Sequence, residues 1–98
     1  MHFSVRISDY QKNIMVNMCD AKLIGTHIVE GELKIHISEN YYGEKVVDKD
    51  EAISLLKSAS ILNLVGEETI SLATDLGIGS KSGVKIISGT PFLIIFNT

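Results

Sequence analysis

The chain has 98 residues, one Cys, one Pro, no Trp, and nine Lys and Arg against twelve Asp and Glu, a formal net charge of −3. One domain over residues 1–98, closing one hydrophobic core, is expected at this length, with little room for a deep enclosed active site. A lone Cys excludes an intrachain disulfide framework and a thiolate zinc cluster, and the negative balance argues against broad electrostatic capture of nucleic acid or anionic membrane.

With 45% hydrophobic and 21% charged residues, the composition is that of a folded globule. The longest apolar run, Phe92 to Phe96, falls far short of the ~20 residues of a membrane helix. The start, Met1 to Arg6, lacks a basic segment followed by an apolar one. A cytoplasmic protein is the expectation.

Residues 3–8 alternate, with Phe3, Val5 and Ile7 on one side and Ser4, Arg6 and Ser8 on the other, as in a half-buried strand. After a polar turn at Asp9–Asn13, the residues Ile14, Val16 and Met18 repeat the pattern, and the two segments read as a hairpin. Asp20 to Gly25 reads as one helical turn, with Asp20 as its N-cap and Gly25 as its left-handed stop. A second hairpin spans Thr26–Val29, a Glu30-Gly31-Glu32 turn, and a strand with Leu33, Ile35 and Ile37 inward and Lys34, His36 and Ser38 outward. Glu39 to Glu44 breaks the alternation and reads as a loop.

Asp48 to Ala59 predicts a helix capped by Asp48, with Ala52, Leu55, Leu56 and Ala59 on one face. Ser60 to Val65 is apolar enough to cross the core. Gly66 opens a second helix, Glu67 to Leu76, which Gly77 ends. Gly77 to Gly83 is a loop, and Val84–Ile87 and Phe92–Phe96 are strands joined by Ser88 to Pro91. The order β-β-β-β-α-α-β-β predicts an α+β domain: a mostly antiparallel sheet of about five to six strands with two helices packed on one face.

Few of the polar constellations carry chemistry. Gly77 to Gly83 has neither the Walker spacing nor a strand-to-helix context, so it reads as a connector and not a phosphate cradle. At the helix start Gly66, the acidic Glu67 and Glu68 complement the dipole themselves and repel a phosphate. His2, His27, His36 and Cys19 show no paired ligand spacing, so neither a metal nor another cofactor is expected. Cys19 and Asp20 are the catalytic candidates: a thiol ahead of a helical turn can become a thiolate, although Asp20 beside it opposes this. The simpler roles are a packed thiol and a capping carboxylate.

The stretch Glu39-Asn40-Tyr41-Tyr42-Gly43-Glu44 offers two carboxylates and two phenols for a polar ligand or a protein partner. Glu39, Tyr41, Tyr42 and Glu44 are therefore binding candidates, against the alternative of a packed loop. Asn63 interrupts an apolar segment and, if buried, must be hydrogen-bonded, either to nearby backbone or to a ligand. Phe92 to Phe96 is apolar on both faces, so it is either a central strand or a strand whose second face meets another copy in a homodimer.

From Cys19-Asp20-Ala21-Lys22-Leu23-Ile24-Gly25 and Glu30-Gly31, through Glu39, Tyr41-Tyr42-Gly43-Glu44 and Asn63-Leu64-Val65-Gly66-Glu67, to Gly89-Thr90-Pro91, the chain resembles a small archaeal family, domain of unknown function 424. The resemblance implies no activity and points towards translation components as partners. Where that family tends to carry a His after the Gly-x-Pro turn, this chain has Phe92, which lowers an enzymatic reading further. The leading expectation is a non-enzymatic protein-interaction module acting through Glu39–Glu44 and the turn at Cys19–Asp20. The alternatives are a small enzyme or ligand-binding protein using Cys19, Asp20 and Glu39, and RNA binding through Arg6, Lys34 and His36, a face that shows no aromatic to stack a base.

Overall fold

The first alternating segments form a longer hairpin than their pattern suggests. In the computed structural model, which describes residues 1–97 and Tyr10 by its backbone only, β1 is Phe3–Tyr10 and β2 is Asn13–Asp20. They pair from Phe3↔Asp20 to Tyr10↔Asn13. The expected five-residue turn is a two-residue one, Gln11-Lys12, with φ of 49° and 70° at its two centres. Left-handed conformation at both positions matches the right-handed twist of the flanking strands.

A 3-10 turn at Ala21–Leu23 leads into β3 (His27–Glu30) and β4 (Leu33–His36). These pair only with each other, as a separate two-stranded sheet. Leu33, expected to face inward, is 47% exposed, because the small core lies behind Ile28, Ile35 and Ile37 and stops short of the hairpin's end. The stretch expected to be a loop contains α1 (Glu39–Tyr42), whose N-cap is Ser38, and then an unpredicted strand, β5 (Lys45–Val47). The Ser38 side chain accepts a hydrogen bond from the Tyr41 N–H at 3.2 Å.

The helix α2 (Lys49–Ser58) is capped as its sequence requires, with Asp48 Oδ1 accepting from the Glu51 N–H at 2.9 Å. Then follow β6 (Ile61–Val65), α3 (Glu67–Asp75), a 3-10 turn at Lys81–Gly83, β7 (Lys85–Ile87) and β8 (Thr90–Phe96). The main sheet has six strands in the order β5-β1-β2-β6-β8-β7. Its pairs are antiparallel apart from β2 with β6, so the α+β expectation holds with one parallel pair added.

The two sheet faces have different covers. On one, Phe3, Val5, Val16, Met18, Leu62, Leu64, Leu93 and Ile95 are buried against Ala52 and Leu56 of α2 and Ile70 and Ala73 of α3. On the other, a smaller core gathers Cys19 and Val65 from the sheet with Ile28, Ile37 and Tyr42. The β3–β4 hairpin and α1 thus cover only part of the second face.

Candidate functional site

The side chain with the most hydrogen bonds among the described residues lies where β2 ends beside α3. Asp20 is 1% exposed, and its carboxylate accepts from the N–H of Glu68 at 3.1 Å, the N–H of Thr69 at 2.8 Å and the Thr69 hydroxyl at 2.7 Å. This corrects two expectations. Asp20 makes no side-chain cap of the turn Ala21–Leu23, and the first turn of α3 is capped by Asp20 from a distant strand, not by Glu67 and Glu68 alone. The residue that opens α3, Gly66, has φ +107° and no side chain to offer; a Cβ there would overlap the Asp20 carboxylate. The sequence demands Gly because the carboxylate occupies the space.

Cys19, the neighbouring candidate, is fully buried. Burial, reinforced by the Asp20 charge, pushes its thiol up to about 12. Such a thiol stays protonated at neutral pH and packs as a small apolar group. Tyr42 packs against it and is 9% exposed, with its phenol raised to about 12 by burial first and then by Tyr41 and Cys19. Tyr42 therefore closes the smaller core. Tyr41 is 50% exposed, with its ring centroid 5.2 Å from that of Tyr42.

The uncovered part of the second face carries the other candidates. Register sets Arg6, Asn17, Asn63 and Ile94 in one row across the sheet, with Met15, Ile61 and Phe96 in the next row of the same face, further from the buried Cys19 and Val65. Asn17 Nδ2 donates to the Tyr41 carbonyl at 3.0 Å, and Asn63 Nδ2 donates to Asn17 Oδ1 at 2.7 Å. The Asn63 N–H group is thus paired with a side chain, where nearby backbone was expected. Ile94 is 62% and Phe96 70% exposed, so Phe92–Phe96 is a strand with one open face.

Two hollows flank α1. One, of about 200 Å³, is walled by Tyr41, Tyr42, Asn63, Val65, Phe92 and Ile94. The other, of about 440 Å³, is lined by Arg6, Glu39, Asn40, Gly43 and Glu44. In it, Arg6 donates from Nη1 to the Asn40 carbonyl at 2.6 Å. Among the predicted residues, the structure brings Tyr41, Tyr42 and Asn63 together, sets Glu39 and Glu44 around Arg6, buries Cys19 behind Tyr42, and buries Asp20 against α3. Ile94 and Phe96 belong to the strand whose second face was expected to be open to another copy, whereas Asn17 on β2 was missed as a site residue. Its place in the row with Asn63 and Ile94 is visible only after the sheet order is known.

The basic set Arg6, Lys34 and His36 does not share one sheet: Arg6 lies in the main sheet, Lys34 and His36 in the small hairpin. The expectation that the Arg6 face lacks an aromatic is also corrected, since Tyr41 and Phe96 stand on it. His36 stacks on His27 across the hairpin, with centroids 4.3 Å apart and planes 7° from parallel. The His27 imidazole is held below its usual pKa, first by desolvation and then by His36 and Lys34. Among the described residues, no three His, Cys, Asp or Glu stand close enough to hold a metal ion, and no helix is long and apolar enough to cross a membrane.

The fold and the site define a small α+β protein built on a mixed six-stranded sheet, one face covered by two helices and the other half open. The chain belongs to the family described as protein of unknown function (DUF424), whose model matches residues 8–98. Among solved structures it is similar to an uncharacterized conserved protein from Methanopyrus kandleri, at 20% identity and a TM-score of 0.84. That match covers 99% of this chain and 92% of the other, and it supports the fold. A comparison with curated proteins finds no match.

Proposed function

We propose that the chain is a non-enzymatic interaction module that docks a protein partner on the open half of its sheet. The observation that carries this reading is the exposure of Tyr41, Ile94 and Phe96, at 50%, 62% and 70%, on the face that carries Asn63. Large apolar side chains grouped on one face, here from α1 and β8, mark a contact surface, since singly scattered ones need no explanation. The Glu39–Glu44 segment contributes through Tyr41, while Tyr42 serves the core. Translation components, towards which the resemblance points, are the first partners to look for.

The test compares wild type with the triple variant Tyr41→Ser, Ile94→Ser, Phe96→Ser in pull-downs from native lysate, with and without nuclease. All three positions are exposed, so each substitution should change stability within about 0.5 kcal/mol. The expected result is a set of proteins held by wild type, resistant to nuclease and lost with the variant. Identical sets for the two proteins would refute the surface; capture abolished by nuclease would transfer the reading to RNA.

A second reading is pairing with a copy of the chain along β8. It is favoured by the strand edge: β7 pairs only with Thr90, Pro91 and Phe92, so beyond Phe92 that edge of β8 pairs with no strand among the described residues. Unpaired edges of this kind recruit further strands. Sedimentation over a hundredfold dilution should then show a monomer–dimer equilibrium that Ile94→Lys abolishes; a concentration-independent monomer rules it out.

A further inference from the structure

The amide pair beneath Tyr41 has a fixed direction. The Tyr41 carbonyl can only accept, so Asn17 must present its Nδ2 there, at 3.0 Å. That leaves Asn17 Oδ1 facing Asn63, whose Nδ2 must donate, at 2.7 Å. The same Nδ2 lies 3.8 Å from the Met15 sulfur. Reversing either amide would set donor against donor or acceptor against acceptor. The unused group is Asn63 Oδ1, an acceptor without a hydrogen-bond partner among the described residues, on a side chain that walls the hollow of about 200 Å³.

The other lining residues are the aromatic Tyr41, Tyr42 and Phe92 and the aliphatic Leu64, Val65, Leu93 and Ile94. Sites for drug-sized ligands run from about 300 to 1,000 Å³, so this one is on the scale of a single ring system. A flat apolar body with one hydrogen-bond donor complements aromatic walls and a single free carbonyl. No carboxylate is among the lining residues, so nothing there favours a guanidinium. The nearby cations are Arg6, tied to the Asn40 carbonyl and lining the neighbouring hollow with Glu39 and Glu44, and Lys85 opposite Phe92 at the sheet edge. That is a poor bed for a phosphate backbone, and it favours an aromatic side chain over a nucleobase.

We infer that the hollow between α1 and β8 receives the indole of a tryptophan from a protein partner, with its ring against Tyr41, Phe92 and Ile94 and its N–H donated to Asn63 Oδ1. The inference rests on the docking reading above and names the anchor that docks. Tryptophan is among the residues that carry most binding energy at protein interfaces, where a buried ring finds both an apolar pocket and a partner for its N–H.

The chain has no Trp, so the fluorescence of added N-acetyl-tryptophanamide reports on the probe alone. In a titration followed by that signal and by ¹H–¹⁵N NMR, the probe should shift the Asn63 side-chain amide and the backbone signals of Tyr41 and Ile94 in the millimolar range. The 1-methyl derivative, which keeps the ring and lacks the donor, should bind about five- to tenfold more weakly, the loss of one hydrogen bond. This comparison changes the probe and not the protein, so it does not depend on any variant folding. Equal affinity for both probes, shifts confined to other surfaces, or tighter binding of adenosine monophosphate or N-acetyl-tyrosinamide would each overturn the assignment. If the triple variant loses its partners while the indole probe leaves Asn63 unshifted, the indole assignment falls and the docking surface stands. If wild type and variant retain identical partners, the docking surface falls first.

Discussion

Replacing Asp20 by Ala removes an acceptor from three donors at once. Two are N–H groups of Glu68 and Thr69 in the first turn of α3, which have no partner within their own helix, and the third is the Thr69 hydroxyl. An exposed N-cap costs about 1 kcal/mol when lost, because water takes over its bonds. Here Thr69 and Asp20 are 0% and 1% exposed, so water cannot. At about 1–3 kcal/mol for each of the two buried Thr69 donors left unpaired, and about 1 kcal/mol for the partly buried Glu68 N–H, the loss comes to about 3–7 kcal/mol. For a chain of this size that lowers the thermal midpoint by roughly 12 °C or more. Far-UV circular dichroism melts and urea titrations should both show it, the latter as a lower midpoint at unchanged slope. Asp20→Asn, whose Oδ1 can keep both Thr69 bonds while its N–H group faces only the Glu68 N–H, should lose a smaller share, about 1–3 kcal/mol. If Asp20 merely capped its own turn at Ala21–Leu23, Asp20→Ala would lose about 1 kcal/mol. A loss that small would refute the reasoning.

Gly66→Ala should destabilise by at least about 2 kcal/mol in chemical unfolding, since φ is +107° and the new Cβ would stand within 2.6 Å of both Asp20 oxygens. Its cost should shrink in an Asp20→Ala background, where the clash is gone; simple additivity would argue against it. Changing Gln11-Lys12 to Asn-Gly should raise stability by about 0.5–1 kcal/mol, because both positions already have positive φ. Cys19 should resist maleimide at pH 8 in the folded protein and react at the rate of unfolding; rapid native labelling would contradict its burial. Above pH 9 the unfolded thiol ionises first and the folded one only towards about 12, as does Tyr42 from about 10 towards about 12. Their contribution to stability is thus whole below pH 9 and lost as pH rises through this range, and the double variant Cys19→Ala, Tyr42→Phe should flatten that decline.

Much of the fold was legible where the signal is local. Phe3, Val5, Val16 and Met18 alternate because one side of each strand is buried, and Asp48 caps α2 from the adjacent residue. What failed depends on contacts remote in sequence. Asp20 is followed by a helical turn, so its cap looked local, yet its partners lie 48 and 49 residues on. The turn at Gln11-Lys12 contains neither Gly nor Asn, so no residue announces its positive φ. The strand β5 has three residues, too few for a period, and exists because β1 offers an edge at Phe3–Val5. Of the site, Tyr41 and Asn63 were legible by type, one as an aromatic outside a regular pattern and the other as an amide in an apolar run. That they share a hollow was not, because α1 packs on β1 and β2, Asn17 links it to Asn63 of β6, and nothing in either segment names the other.

The parallel pairing of β2 with β6 divides the molecule at its midpoint. Strands β5, β1 and β2 come from residues before Asp48, and β6, β8 and β7 from residues after it. The sheet is therefore two contiguous halves of the chain zipped along one seam. Asn17 lies opposite Asn63 there, and Asp20 reaches over it to Thr69. A slip of one residue along the seam would turn Asn17 towards the helices and separate Asp20 from its donors in the same step. These few polar groups thus act as the key of a lock, and the two halves of the chain close in one register only.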